Sequence, residues 1–292
     1  CSSRPKKVIP NFWALRKLSL PVSKNSVVLD VGSGGNPHPR ADVLFDRVKG
    51  AEHRSGKAMV MDRMTVLGDA NKLPFKDKSF DYIIASHILE HIENPEHFIS
   101  ELMRVGKAGY IETPNHICER LNPCSAHCLE IANIDGVLHI NKKSKPIPDD
   151  FFAKTDFLNL NKSWMFRFHK DPFLFHTRYF WENEIKYEIF NPKTNTDWIN
   201  GIFDNSNTSE ISTSISTSGL NWRLVGANLF EFFQSKFRTK RMKYFDIYKI
   251  LACPECRGEL SKNAISLYCE KCNSTYANEP YINFDDKVTE IS

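Results

Sequence analysis

Val28-Leu29-Asp30-Val31-Gly32-Ser33-Gly34-Gly35-Asn36-Pro37 is the stretch on which the fold turns. A short apolar run leads straight into a glycine cluster, the pattern of a buried parallel strand that feeds a tight loop. Glycines at the carboxyl end of a first strand let the backbone bend sharply and let a ligand approach the main chain with no Cβ in its way. A nucleotide-like ligand suits such a place. The loop is not a dinucleotide fingerprint, because the third glycine of Gly-x-Gly-x-x-Gly falls on Pro37, and it lacks the Gly-Lys-Ser or Gly-Lys-Thr of a phosphate loop.

Outward from this stretch the same design repeats. The first strand starts near Ser26, and Asp42-Val43-Leu44-Phe45-Asp46 and Met64-Thr65-Val66-Leu67-Gly68-Asp69 are further apolar runs closed by an acid. Phe80 to Ser86 reads as a fourth strand. Asn94-Pro95-Glu96 then opens a helix, with Asn as cap and Pro in the first turn. Phe98, Ile99, Leu102, Met103 and Val105 give that helix an apolar stripe, Gly106 or Gly109 ends it, and Gly109 to Pro114 forms a strand broken by proline. Strands alternating with helices predict an α/β fold, a mostly parallel sheet with helices on both faces.

The Leu-Asp-x-Gly-x-Gly loop, the strand ending in Asp46, Gly68-Asp69-Ala70 followed by Leu73-Pro74-Phe75, and Phe80-Asp81-Tyr82 through Leu89-Glu90-His91 stand in one order. Over residues 20–115 this order resembles the Rossmann-like core of class I S-adenosylmethionine-dependent methyltransferases of the type 11 group. The resemblance implies that Gly32, Ser33 and Gly34 lie under the methionine part of the cofactor, with Asp30 supporting the loop. It implies that Asp46 accepts hydrogen bonds from the ribose hydroxyls, as a carboxylate can from two vicinal donors. Asp69 would take the adenine amino group and the Ala70 N–H a ring nitrogen, while Ser86 and His87 would border the reacting methyl. One departure stands out. Fifteen residues, Pro37 and Pro39 among them, separate Asp30 from Asp46, too few for a full first helix; Asp42 is the alternative ribose acceptor.

The chemistry so implied is displacement at a sulfonium methyl, for which the protein supplies proximity, alignment and, for a hydroxyl acceptor, a base. His87, Glu90, His91, Glu112 and His127 are the candidate bases, with His87 and Glu112 taken as catalytic.

Cys253-Pro-Glu-Cys256 and Cys269-Glu-Lys-Cys272 are two Cys-x-x-Cys knuckles twelve residues apart. Such knuckles present four thiolates tetrahedrally, which suits a closed structural Zn2+ site. A segment of about 45 residues buries too little apolar surface to fold alone, so the metal would supply much of its stability. With Ile250-Leu251-Ala252 before it and Tyr276 to Phe284 after it, the segment resembles the small zinc-ribbon family of methyltransferase activators. Cys118, Cys124 and Cys128, with His116 and His127, are spaced irregularly and interrupted by Pro123; they read as free thiols rather than a second metal site.

The organisation expected is a methyltransferase domain over residues 1–245 and a zinc ribbon over 246–292. Within the first, an aromatic-rich insert over 116–200 would form a lid, an acceptor pocket or a satellite core. The polar stretch 205–219 would be a mobile loop. Residues 224–250 pair an aromatic face with the basic run 236–243, which suits packing between domains, a membrane surface or nucleic acid. The net charge of +4, from 39 Lys and Arg against 35 Asp and Glu, is too small to require nucleic acid. No run of about 18 apolar residues suggests a membrane span. The chain opens Cys1-Ser2-Ser3, as a mature lipoprotein would, but no signal segment precedes it and the cysteine usage points to a reducing compartment, so a cytoplasmic location is expected. The acceptor expected is an oxygen on a sugar or other small molecule. A tRNA or protein acceptor and a non-catalytic scaffold acting on a partner enzyme are the alternatives.

Overall fold

Alternation of apolar residues in the first strands produces two buried faces. In β1 (Val28–Val31), Leu29 and Val31 face the main core with Val43, Phe45, Ile83 and Ala85, while Val28 joins Tyr82, Ile84 and Tyr110 on the other side. A computed structural model describes residues 20–47, 58–146, 171–204, 235–236 and 238–287 of the chain. β2 (Val43–Asp46), β3 (Met64–Leu67), β4 (Tyr82–Ser86) and β5 (Ala108–Pro114) complete the parallel part of the sheet, in the order β3-β2-β1-β4-β5. This is a mostly parallel, Rossmann-like α/β sheet, with few helices among the described residues.

The helix α1 (Pro95–Val105) joins β4 to β5. Asn94 caps it by accepting from the His97 N–H at 3.1 Å, and Gly106 ends it. No helix links β1 to β2, where Pro37 and Pro39 leave the chain in turns, and none links β3 to β4. There Phe75 stacks edge-on against Phe80 at 4.9 Å and against Phe45 at 6.0 Å, each such pair contributing about 0.5–1.5 kcal/mol beyond its burial. Among the described residues these two connections run as turns rather than helices.

Part of the stretch read as an insert belongs to the main sheet. β8 (His176–Glu182) pairs antiparallel with β5 over seven residues, burying Tyr179 and Trp181. After a short helix α2 (His116–Leu121), β6 (Leu129–Ile134), β7 (Val137–Lys142) and β9 (Tyr187–Ile189) make a separate three-stranded sheet, followed by helix α3 (Trp198–Asp204). The aromatics Phe151, Phe152, Phe157, Trp164, Phe166 and Phe168, and the 205–219 loop, lie outside the described residues.

The C-terminal segment extends the same sheet. β10 (Ser261–Lys262), β11 (Ser266–Cys269), β12 (Ser274–Ala277) and β13 (Ile282–Lys287) form an antiparallel meander, and β13 runs parallel to β3, with Ile282 opposite Val66 and Asn283 opposite Leu67. Ten strands result. The exposed edge of β3 is thereby covered, which removes an open row of backbone donors and acceptors. Side contacts fix the junction: Lys76 N–H donates to Ile250 O at 2.7 Å, Ala252 N–H to Pro74 O at 3.0 Å, and Arg257 reaches Glu101 at 3.0 Å. Glu101 also accepts from the Leu73 N–H and from Arg104, so one buried carboxylate ties the β3–β4 connection, α1 and the C-terminal segment together.

Candidate functional site

The glycine loop is held by the strand beside it. Gly32 and Gly34 adopt φ of +73° and +53°, in the left-handed region. The N–H groups of Gly32 and Ser33 donate to Phe45 O at 2.8 and 3.3 Å, and the Gly34 N–H donates to Asp46 Oδ2 at 2.5 Å. Gly68 N–H donates to Asp46 O at 3.0 Å. The loops that follow β1, β2 and β3 thus meet at Asp46. A Cβ on Gly32 would stand 2.8 Å from Ile88 Cδ1, so this backbone passes where no side chain fits.

Asp30 is buried beneath the loop and accepts from the His38 N–H at 2.6 Å, bracing the turn. Asp46 Oδ1 accepts from the Arg47 N–H at 2.7 Å, and Asp69 accepts from the Asn71 N–H at 2.9 Å. Ala70 lies buried beside it. Asp42, the alternative to Asp46, points elsewhere. Its carboxylate accepts from the Val28 N–H at 3.0 Å and pairs with Arg40 at 2.8 Å and Arg241 at 2.5 Å. Among the described residues of the basic run, Arg241 and Arg238 turn inward onto Asp42 and Pro39 O, the packing role among the three open for that segment.

Beside Gly32, where Ile88 fills the space a Cβ would need, the Ser33 Oγ is buried with no hydrogen-bond partner, which suits a polar ligand group such as the methionine end of S-adenosylmethionine. An orphaned hydroxyl costs about 1–3 kcal/mol of lost solvation, which a polar ligand group would recover.

At the end of β4, Ser86 Oγ donates to Glu112 Oε1 at 3.3 Å, and Tyr110 donates a very short bond to Glu112 Oε2. Arg178 Nε donates to the Tyr110 hydroxyl at 2.9 Å, its guanidinium lying over Phe173 at 4.9 Å. His87 has φ of +57°, unusual for a side chain of this size, and its N–H donates to Glu112 O at 2.7 Å. Its ring meets Glu90 Oε1 at 3.2 Å, stands 3.6 Å from Glu112 and packs edge-on to His176 at 5.4 Å. Burial alone would lower the His87 pKa, but the two carboxylates outweigh it and push it up to about 9. Burial also opposes ionisation of Glu90, yet His87 holds it down to about 2. The two form an ion pair between an exposed imidazole and a buried carboxylate.

Glu90 and His91 sit in a 3-10 turn, Leu89–His91. Glu119, His127, Cys124 and Lys143 gather beside it. His127 Nδ1 bonds Glu119 Oε2 at 2.6 Å and Lys143 Nζ donates to Glu119 Oε1 at 2.5 Å. Burial raises the thiol pKa of Cys118 to about 11 and of Cys128 to about 12; it acts the same way on Cys124, but contact with His127 reverses the direction. Among these elements the sequence reading passed over Tyr110, Glu119, Lys143, His176 and Arg178. Glu119 and Lys143 lie 24 positions apart on separate elements, so no local pattern marks them.

The four knuckle cysteines converge. One ligand atom from each of Cys253, Cys256, Cys269 and Cys272 lies within 4.8 Å of all the others, and two of the sulfur pairs are 3.4 Å apart. Zn–S bonds of about 2.3 Å in a tetrahedron put sulfurs about 3.8 Å apart, so the set fits the metal. Arg257 and Asn273, each one residue past the second cysteine of its knuckle, take φ of +56° and +53°, which folds each Cys-x-x-Cys back on itself.

Comparison with known proteins places residues 29–111 in the match to a methyltransferase domain family. The demethylmenaquinone methyltransferase of Renibacterium salmoninarum is 36% identical over 88 residues, 28% of this chain and 37% of that protein. The ajmaline N-methyltransferase of Rauvolfia serpentina is 36% identical over 58 residues, 20% of each chain. This chain therefore spans well under half the length of the curated relatives it matches. Among solved structures, the complex of the Haloferax volcanii Trm112 methyltransferase activator with a proposed methyltransferase aligns over 61% of this chain and 92% of that one, at 16% identity and a TM-score of 0.35.

Proposed function

We propose that the chain is an S-adenosylmethionine-dependent methyltransferase whose acceptor is an oxygen atom of a sugar or other small molecule. The observation that carries the reading is the meeting of three strand-tip loops at Asp46, beside a left-handed glycine cradle with an orphaned Ser33 hydroxyl. Gly32, Ser33 and Gly34 would hold the methionine end, Asp46 the ribose, Asp69 and Ala70 the adenine, and Ser86 the edge near the reacting methyl. The cofactor, when bound, supplies a methyl group on a positively charged leaving group.

This chain's own residues then do the positioning. Glu112 fixes Ser86, Tyr110 and the His87 ring around one buried carboxylate. With its pKa near 9, His87 is a cation held between Glu90 and Glu112, so it sets a positive charge beside the acceptor and does not serve as the resting base. The Arg178 guanidinium stacked over Phe173 beside it offers an aromatic and polar wall of the kind that holds a sugar ring. No helix among the described residues is long and apolar enough to cross a membrane. The inward-turned Arg238 and Arg241 do not favour an RNA acceptor. Zn2+ on the four knuckle thiols would hold the C-terminal segment in shape, and a reducing compartment such as the cytoplasm would keep those thiols available.

Calorimetry with S-adenosylhomocysteine tests the cofactor site: binding is expected for the wild type and lost in Gly32→Arg. Labelled methyl transfer into fractionated extract then sorts product among small molecules, glycans, RNA and protein. Label in RNA or protein would replace the acceptor assignment, and absence of cofactor binding would leave a scaffold.

A further inference from the structure

We propose that Glu90, His91 and His127 hold a divalent transition-metal ion, a second metal centre beside the acceptor side of the site and separate from the cysteine knuckles. One ligand atom from each of the three lies within 4.8 Å of the others. Glu90 is 2% exposed; its Oε1 is engaged by His87, while its Oε2 is buried with no hydrogen-bond partner. A carboxylate oxygen left dry and unpaired is costly unless a cation meets it.

The histidines are set as ligating imidazoles are. His91 Nδ1 bonds the Ala126 carbonyl at 2.6 Å and His127 Nδ1 bonds the Glu119 carboxylate at 2.6 Å. Both partners only accept, so each Nδ1 carries the proton and Nε2 is the nitrogen that would face an ion; the His127 ring also bonds Cys124, a contact the ion would displace. An outer carboxylate or carbonyl of this kind fixes ring orientation in metal sites. Lys143 and the Cys124 N–H, at 2.5 and 3.1 Å from Glu119 Oε1, anchor the outer carboxylate in turn. The two segments that bear the ligands are clamped together, because Cys128 N–H donates to Glu90 O at 2.9 Å. The two rings stand edge to face at 4.7 Å.

Two imidazoles and one carboxylate suit Zn2+, Fe2+ or Co2+ and leave coordination positions open. An ion there, three residues beyond His87, would bind the acceptor oxygen and lower its pKa. That use of the ion rests on the methyl-transfer reading; the site itself does not.

The test is the metal content of the full chain after loading with Zn2+ and gel filtration. Two equivalents are expected for the wild type, and one for His91→Ala, His127→Ala and Glu90→Gln. Glu119→Gln, which removes a positioning residue, should weaken the second equivalent about 10- to 100-fold and leave the first. A wild type that retains one equivalent overturns the proposal even if a variant fails to fold, and so does a folded His127→Ala chain that retains two. S-adenosylhomocysteine binding is measured on the same samples. Binding with a single metal sinks this site alone, whereas two metals without binding sink the methyltransferase reading alone.

Discussion

Replacing Gly32 with Ala separates the backbone demand of the loop from its steric demand, because the chain carries an internal reference. Gly32 and Gly136 have nearly the same φ, +73° and +78°, so alanine costs about 1–2 kcal/mol of left-handed strain at either. Gly136, in the Asp135-Gly136 turn between β6 and β7, has nothing within 4 Å of its added Cβ. At Gly32 the new Cβ lies 2.8 Å from Ile88 Cδ1 and 2.9 Å from Ile88 Cβ, and the second of these is not the movable end of a side chain. Overpacking of this kind costs about 1–3 kcal/mol more. If the loop shifts to relieve it, S-adenosylhomocysteine binding falls roughly 5- to 150-fold, since 1.4 kcal/mol is about tenfold. Titration calorimetry should show that loss in Gly32→Ala and unchanged affinity in Gly136→Ala, with scanning fluorimetry placing the Gly32→Ala melting temperature below that of Gly136→Ala. Equal affinities would mean that the cofactor does not lie against Gly32.

Three further outcomes follow from buried charges and thiols. Asp42→Asn removes the partner of Arg40 and Arg241 inside the fold and should cost about 3–5 kcal/mol in urea unfolding, with no loss of cofactor-product affinity at fixed folded fraction. Glu101→Gln weakens the carboxylate shared by Leu73, Arg104 and Arg257, and limited proteolysis should then cut the C-terminal segment several times faster than in the wild type. A chelator added to the zinc-loaded chain should strip the four thiols of Cys253, Cys256, Cys269 and Cys272 and lower the melting temperature, and deuterium exchange should rise in β3 as well as in β13, because the two strands share hydrogen bonds. Exchange confined to the ribbon would show that β3 does not depend on its neighbour.

What could be read from the chain beforehand was whatever local geometry dictates. Apolar runs bounded by acids gave β1 to β4, and the Asn94-Pro95 cap gave the start of α1, because buried strands and capped helices leave their marks within a few residues. The knuckles were equally plain, two ligands per turn at fixed spacing. β8 was obscured: its aromatic residues lie among many others, and antiparallel pairing with β5 leaves no signal near either strand. The same holds for the pairing of β13 with β3, more than two hundred residues apart.

The candidate metal centre explains most sharply why a site can stay hidden in a sequence that is otherwise easy to read. Glu90 and His91 belong to a turn after β4, and His127 to a loop before β6; the irregular cysteines around His127 draw attention to sulfur, whereas the buried thiols of Cys118 and Cys128 are held inert by burial. What joins the two segments is a backbone bond from Cys128 to Glu90 and an imidazole bond from His91 to Ala126. Neither depends on residue type at the backbone end, so neither is written in composition or spacing. The unpaired Glu90 oxygen becomes visible only when its surroundings are known. A ligand set assembled across elements is therefore found by counting unmet hydrogen bonds, and the metal ratio in His127→Ala decides whether that count has been taken correctly here.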